Sequence, residues 1–191
     1  RCGKMKARLR NLVVQGTIAL ALIAAALEIA LRLTPFPAAL ENDPPTSTEF
    51  LDRNGKPLRS LLAEERRFAR RCSLAEVSSN VIAATLSAED KRFRSHFGVD
   101  FLATARAVRS GGKSGASTIT QQVVKLAQPE RRTLSRKLAE IWLALRVERS
   151  WSKDRVVAGY LNRLDYGNLQ TGIASASRYY FGKPPSDLSA A

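Results

Sequence analysis

Hydrophobic positions along the chain fall into three regimes. Residues 12–31, LVVQGTIALALIAAALEIAL, are apolar almost without a break. A run of about 20 such residues is what a helix needs to cross a hydrocarbon core of roughly 30 Å. Gln15 and Glu28 interrupt it near its ends, where a polar group reaches the interface. Residues 49–62, EFLDRNGKPLRSLL, read as two short strands about Asn54-Gly55, the strongest short-range hairpin signal. From Leu74 onward apolar residues recur at three- and four-residue spacing, which predicts helices.

Six helices are expected there. Ser79 or Asn80 caps the first, to about Arg94, with Val81, Ala84, Thr85 and Ala88 at helical spacing. Asp100 caps a second, FLATARAVRS, which Gly111-Gly112 stops. Ser117 and Thr118 open a third, where Thr118 and Gln121 match the capping-box spacing. The fourth runs from about Thr133 to Ser150, with Leu134, Leu138, Ile141, Trp142 and Leu145 as its buried stripe. Ser152 caps a fifth, to about Arg163, and a sixth covers Thr171 to Tyr180 before a Gly182 cap. The fold class is therefore mainly α, with a small β-hairpin at the entry and one transmembrane helix in front. Residues 1–11 form a basic tail, 12–33 the span, 34–48 a Pro-rich linker and 49–191 the helical domain. The closing SDLSAA reads as the opening of a further helix, so that domain is expected to continue in a longer product.

Charge then narrows the choice of partner. Lys and Arg number 31 against 17 Asp and Glu, a balance suited to nucleic acid, anionic lipid or a phosphate-bearing substrate. No basic stripe interleaved with aromatics and no zinc-finger spacing occurs, so nucleic acid is not expected. The N-terminus points to membrane lipid instead. Arg1, Lys4, Lys6, Arg8 and Arg10 precede the span with no acid among them, which places the tail in the cytoplasm and the rest outside. A signal peptide is the competing reading, but the apolar stretch is long for one, and Thr34-Pro35-Phe36-Pro37 is a poor cleavage site. Cys2 and Cys72 would then lie on opposite sides of the membrane and cannot pair within the chain.

Three polar clusters are candidates for chemistry. Glu89-Asp90 ends an otherwise apolar helix and is followed by Phe93, His96, Gly98 and Asp100. Glu89, one turn after Thr85, is either a partly desolvated general base or a capping, salt-bridging acid. GASTITQQVVK, residues 115–125, places hydroxyls and free N–H groups at a helix start, which is an anion site or simply a well-capped amphipathic helix. Arg132, Arg136 and Glu140 are spaced by four with Lys137 beside them, which surface ion pairs would also explain. His96 is the single histidine and no GxSxG elbow accompanies it, so a serine-hydrolase reading finds no support.

In order and together these clusters resemble glycosyltransferase family 51, the peptidoglycan glycosyltransferases of class A penicillin-binding proteins. The matching stretches are EDKRFRSHFGVD (89–100), GASTITQQVVK (115–125), RTLSRKLAE (132–140), SKDRVVAGYLN (152–162) and RYYFGK (178–183). The DRNGKPLRS entry and FGKPPSDLS exit look most like the penicillin-binding protein 1C branch. The resemblance implies a lysozyme-like fold and a reaction that extends a lipid-linked glycan with lipid II, with inversion. By motif match Glu89 would be the general base and Glu140 a second catalytic carboxylate, positioning the donor pyrophosphate or a divalent cation, Mg²⁺ or Mn²⁺. Asp90, Phe93, Ser117, Thr118, Gln121, Gln122, Lys125, Arg132, Arg136 and Lys137 would bind substrate. Implied partners are lipid II, the growing glycan strand, membrane lipid and a transpeptidase domain in the full-length chain, at a bacterial inner membrane. The loop between Asp100 and Ser117 is shorter than the family's usual one. A lytic, muramidase-like enzyme or a non-catalytic scaffold module derived from the family are the alternatives.

Overall fold

The computed structural model describes residues 2–63, 66–111, 115–129 and 133–189, with side chains described for all of these except 2–7, 9 and 108. Two units separate, residues 1–35 and 36–191.

The first unit is one helix, α1 (Cys2–Leu33). Its Arg10–Leu33 segment, 24 residues at a mean hydropathy of 2.1, is long and apolar enough to cross a membrane. The Glu28 blemish has a partner one turn on, because the Arg32 guanidinium donates to its carboxylate at 2.9 Å.

The second unit begins with α2 (Ala38–Glu41), whose Leu40 is buried in the core. The stretch expected as a linker over 34–48 is thus partly built into the domain. Ser47 fixes its far end, donating its N–H to the Ala69 carbonyl at 2.8 Å while its hydroxyl accepts from Ala69 N–H at 2.9 Å. The expected hairpin forms from β1 (Glu49–Leu51) and β2 (Pro57–Ser60), antiparallel, with Gly55 at φ +79° in the turn. A second pair is unforeseen: β3 (Phe68–Ala69) runs parallel to β4 (Gln170–Thr171), joining residues a hundred positions apart. Two-residue strands carry no periodicity to read.

The helices are α3 (Ser79–Glu89), α4 (Phe101–Arg109), α5 (Ile119–Ala127), α6 (Leu134–Glu148), α7 (Lys153–Arg163) and α8 (Ile173–Phe181). With these the mainly α architecture expected from the spacing is present. α5 is the axis of the domain. Ile119, Val123 and Val124 are fully buried, and they pack with Val147 of α6 and Val156, Val157, Tyr160 and Leu161 of α7. A helix start at such depth leaves N–H groups that water does not reach, so a cap is obligatory. Thr118 supplies it. Its hydroxyl accepts from Gln121 N–H at 3.2 Å, and the Gln121 side chain accepts from Thr118 N–H at 3.1 Å.

Two expectations fail. α3 stops at Glu89 rather than near Arg94, and its cap is Ser78. Asp90 leaves helical geometry (φ −156°, ψ 77°), and a short 3₁₀ turn, Phe93–Ser95, follows. The stripe assigned to α6 is also wrong. Leu134 and Leu138 are 79% and 60% exposed, Ile141, Trp142 and Leu145 are half-buried, and the residues with no exposure are Ala144 and Val147. The first turns of α6 touch the ends of α5 through Arg136 and Lys137, which reach Gln128 and Ser117, and Leu134 and Leu138 lie on a face that no other element covers among the described residues.

Candidate active site

A cleft of about 230 Å³ opens where the end of α3, the start of α5 and one face of α4 meet. Glu89, Lys91, Arg92, Asp100, Arg106 and Ser117 are among its lining residues. Glu89 is exposed, so of its two sequence readings the partly desolvated one does not hold, and its carboxylate accepts from Gln122 Nε2 at 2.9 Å. The Gln122 carbonyl oxygen lies 3.4 Å from the Tyr160 hydroxyl, which donates to it. Burial and then the nearby Glu89 carboxylate push the Tyr160 phenol up to about 12, so it remains a donor at physiological pH. Glu89, Gln122 and Tyr160 thus form a relay across three helices.

The neighbouring Asp90 points the other way. It is buried, and its carboxylate accepts from the Ile119 N–H at 3.1 Å and contacts His96 Nε2 at 3.0 Å. It therefore ties the last turn of α3 to the first turn of α5, and Glu89 inherits its position from that tie. Thr118 adds another link, donating its hydroxyl to the Gly98 carbonyl at 2.6 Å. Gly98 itself permits no side chain. Its φ is +86°, and an added Cβ would sit 2.7 Å from the Ala144 carbonyl oxygen of α6.

Arg92 grips Asp100 through two nitrogens, with Nε at 2.9 Å from Oδ2. Burial alone would push the Asp100 carboxyl up. The Ala103 N–H, Arg92 and nearby His96 outweigh it and hold the group below the usual carboxylate range.

The second carboxylate sits beyond Ser117. Lys137 Nζ donates to Ser117 Oγ at 3.0 Å and to Glu140 Oε2 at 3.2 Å, and the Glu140 side chain is only 12% exposed. Ser117 thus lines the Glu89 cleft and also touches the Lys137–Glu140 pair.

The expected site residues separate accordingly. Glu89, Gln122, Ser117, Lys137 and Glu140 form one connected group. Asp90, Phe93, Thr118 and Gln121 are buried: Asp90 and Thr118 reach the wall of the same cleft, while Gln121 closes the α5 cap and Phe93 is a core residue with the Lys153 ammonium 4.4 Å from its ring centre. Arg136 turns to the end of α5, donating to the Gln128 carbonyl at 2.7 Å, and Lys125 is exposed outside the cleft. Arg132 lies outside the described residues.

Sequence reasoning missed Lys91, Arg92 and Arg106 as cleft cations, and the buried Glu148 that accepts from Lys153 at 2.8 Å and Thr120 at 2.6 Å. Arg92 and Arg106 flank the Asp100 cap, and a basic residue on each side of a buried acid was a readable signal. Glu148 gave none, because its partners lie on two other segments.

Among the described residues no group of three His, Cys, Asp or Glu side chains gathers as a metal cage. A single carboxylate such as Glu140 suits the other mode, in which Mg²⁺ is held by one or two carboxylates together with substrate phosphates.

Comparison with known proteins gives concordant results. The transglycosylase family model matches residues 54–191. Penicillin-binding protein 1F of Bacillus subtilis is 40% identical over 148 residues, which is 74% of this chain and 20% of that protein. Penicillin-binding protein 1A of Pseudomonas aeruginosa is 43% identical over 123 residues, 61% of this chain and 15% of that protein. The biosynthetic peptidoglycan transglycosylase of Haemophilus influenzae (strain PittEE) is 42% identical over 123 residues, covering 61% of this chain and 51% of that protein. The chain spans about half of the Haemophilus relative and a fifth or less of the other two, and the matches do not separate the 1C branch from its neighbours. The matched segment takes in the cleft, the relay and the Lys137–Glu140 pair alike, and the chain belongs to the transglycosylase family.

Proposed function

We propose that the chain is a peptidoglycan glycosyltransferase that polymerises lipid II at the outer face of a bacterial inner membrane. The observation that carries the mechanism is Glu89: an exposed carboxylate at a cleft lined by Lys91, Arg92 and Arg106, held through one oxygen by the neutral Gln122 amide.

In this reading the acceptor 4-hydroxyl approaches the other Glu89 oxygen and loses its proton there as its oxygen attacks the anomeric carbon of the donor. The new O–C bond forms on the face opposite the leaving group, the bond to the lipid pyrophosphate breaks, and configuration inverts. Pyrophosphate leaves without a general acid when cations neutralise the developing charge, and the Lys and Arg residues at the cleft supply them. Lys137, fixed between Ser117 and Glu140, adds one more positive group on the donor side. A divalent cation, Mg²⁺ or Mn²⁺, would be held there by Glu140 with the substrate's own phosphate oxygens and would supply further charge neutralisation. α1 would hold the domain against the bilayer that carries the substrate, with the basic tail on the cytoplasmic side. A transpeptidase domain would occupy another part of the longer protein.

The test is a gel assay of labelled lipid II with detergent-solubilised protein and its Glu89→Gln variant. Polymer from the parent and none from the variant, with lipid II binding retained by both, is expected. Weakened binding with undiminished turnover at saturation would reject Glu89 as the base.

A further inference from the structure

A second cleft, of about 550 Å³, lies between the hairpin and α8 and shares no lining residue with the Glu89 cleft. Its walls include Glu49, Ser60, Phe68, Arg70, Arg178 and Tyr179. The volume falls within the range of sites that enclose a ligand of several residues or a drug-sized molecule, roughly 300–1,000 Å³.

Its charges do not balance. Arg70 and Arg178 face it from β3's end and from α8, and Glu49 is the one acid among its lining residues. Glu49 is already committed to Arg70. Arg178 is exposed and, among the described residues, makes no ion pair. Both guanidinium groups line the one cleft, and burial, then the positive charge of Arg178, lowers the Arg70 pKa from its ordinary value. A cleft that holds one uncompensated guanidinium beside a second is electrostatically incomplete, and a carboxylate completes it through two parallel N–H···O bonds.

Backbone pairing is not what this cleft offers. Ser47 covers one edge of β3 and β4 covers the other. Recognition therefore falls to side chains: the two guanidinium groups, the Ser60 hydroxyl and the exposed Tyr179 ring, with the apolar Phe68 and Pro57 also in the lining. That mixture of cations and aromatic surface fits an acidic segment of a polypeptide better than a bare inorganic ion.

We propose that this cleft docks an acidic peptide segment, one of whose carboxylates pairs with Arg178 while another competes with Glu49 for Arg70. The site is independent of glycosyl transfer, and the two readings fail separately.

The experiment is fluorescence anisotropy at low salt on the detergent-solubilised full chain. The probe is a labelled hexapeptide carrying three Glu residues, with its all-Gln counterpart as control. Arg178→Gln should weaken binding of the acidic peptide at least tenfold, while Arg109→Gln on α4 leaves it unchanged. Glu49→Gln should tighten it severalfold by freeing Arg70. Polymerisation of lipid II by Arg178→Gln should match the parent. Equal binding of the two peptides, equal losses in the Arg178 and Arg109 variants, or displacement by equimolar inorganic phosphate would each overturn the proposal.

Discussion

The two acids that the motifs single out, Glu89 and Glu140, sit in opposite settings. Glu89 ends a short helix at an open cleft and meets a neutral amide; Glu140 lies within a long helix, mostly covered, and meets an ammonium. A carboxylate gripped by a cation has its charge fixed and serves to position other charges. One steadied by an amide through a single oxygen keeps the second oxygen open to a hydroxyl. Residue type alone does not divide these roles. What each acid touches does.

That contrast can be broken at several points. Glu89→Gln keeps the shape and the Gln122 contact but removes the proton acceptor, and should cost about 10²–10⁴-fold in turnover. Gly98→Ala attacks the frame that both acids share. With a positive φ and a backbone oxygen in the way, it should lower stability by about 3 kcal/mol, read as a shifted urea midpoint. Lys137→Ala leaves Glu140 mostly covered without its cation. A loss of about tenfold in kcat/KM is expected from one charge-assisted contact, and an unchanged value would remove Lys137 from the donor side. Gln122→Ala leaves Glu89 in place but unsteadied, so kcat should fall about fivefold, with KM unmoved. The smallest effect is on acid stability. Because the Asp100 carboxyl is held below its ordinary value, its contribution is fully present above about pH 4 and is lost as pH falls through the depressed value. Arg92→Gln should flatten that part of a stability-versus-pH curve.

Local chemistry was legible in the sequence where a residue answers to its near neighbours. The Asn54-Gly55 turn, the Thr118–Gln121 box, the Ser152 cap and the Gly182 stop all appear where spacing put them. Legibility ended where a residue answers to something distant. Asp90 leaves its helix because Ile119 and His96 claim its carboxylate. Leu134 and Leu138 continue the apolar spacing of α6, but periodicity marks an apolar face and not whether another element covers it. The site divided along the same line. Type and order singled out Glu89, Gln122 and Lys137, whose side chains are open or half-open, and equally Asp90, Phe93, Thr118 and Gln121, whose burial spacing did not foretell.

The Glu28–Arg32 pair bears on bilayer thickness. The apolar segment of α1 has 24 residues and measures about 36 Å, some 6 Å longer than a typical hydrocarbon core. A bare carboxylate near its end would resist being drawn inward at any tilt. Joined to Arg32 one turn further out, it would form a compact neutral pair at the rim of a bilayer, and the surplus length would be taken up by leaning. Membranes of unequal thickness would then present α1 with a change of angle, not with a buried charge.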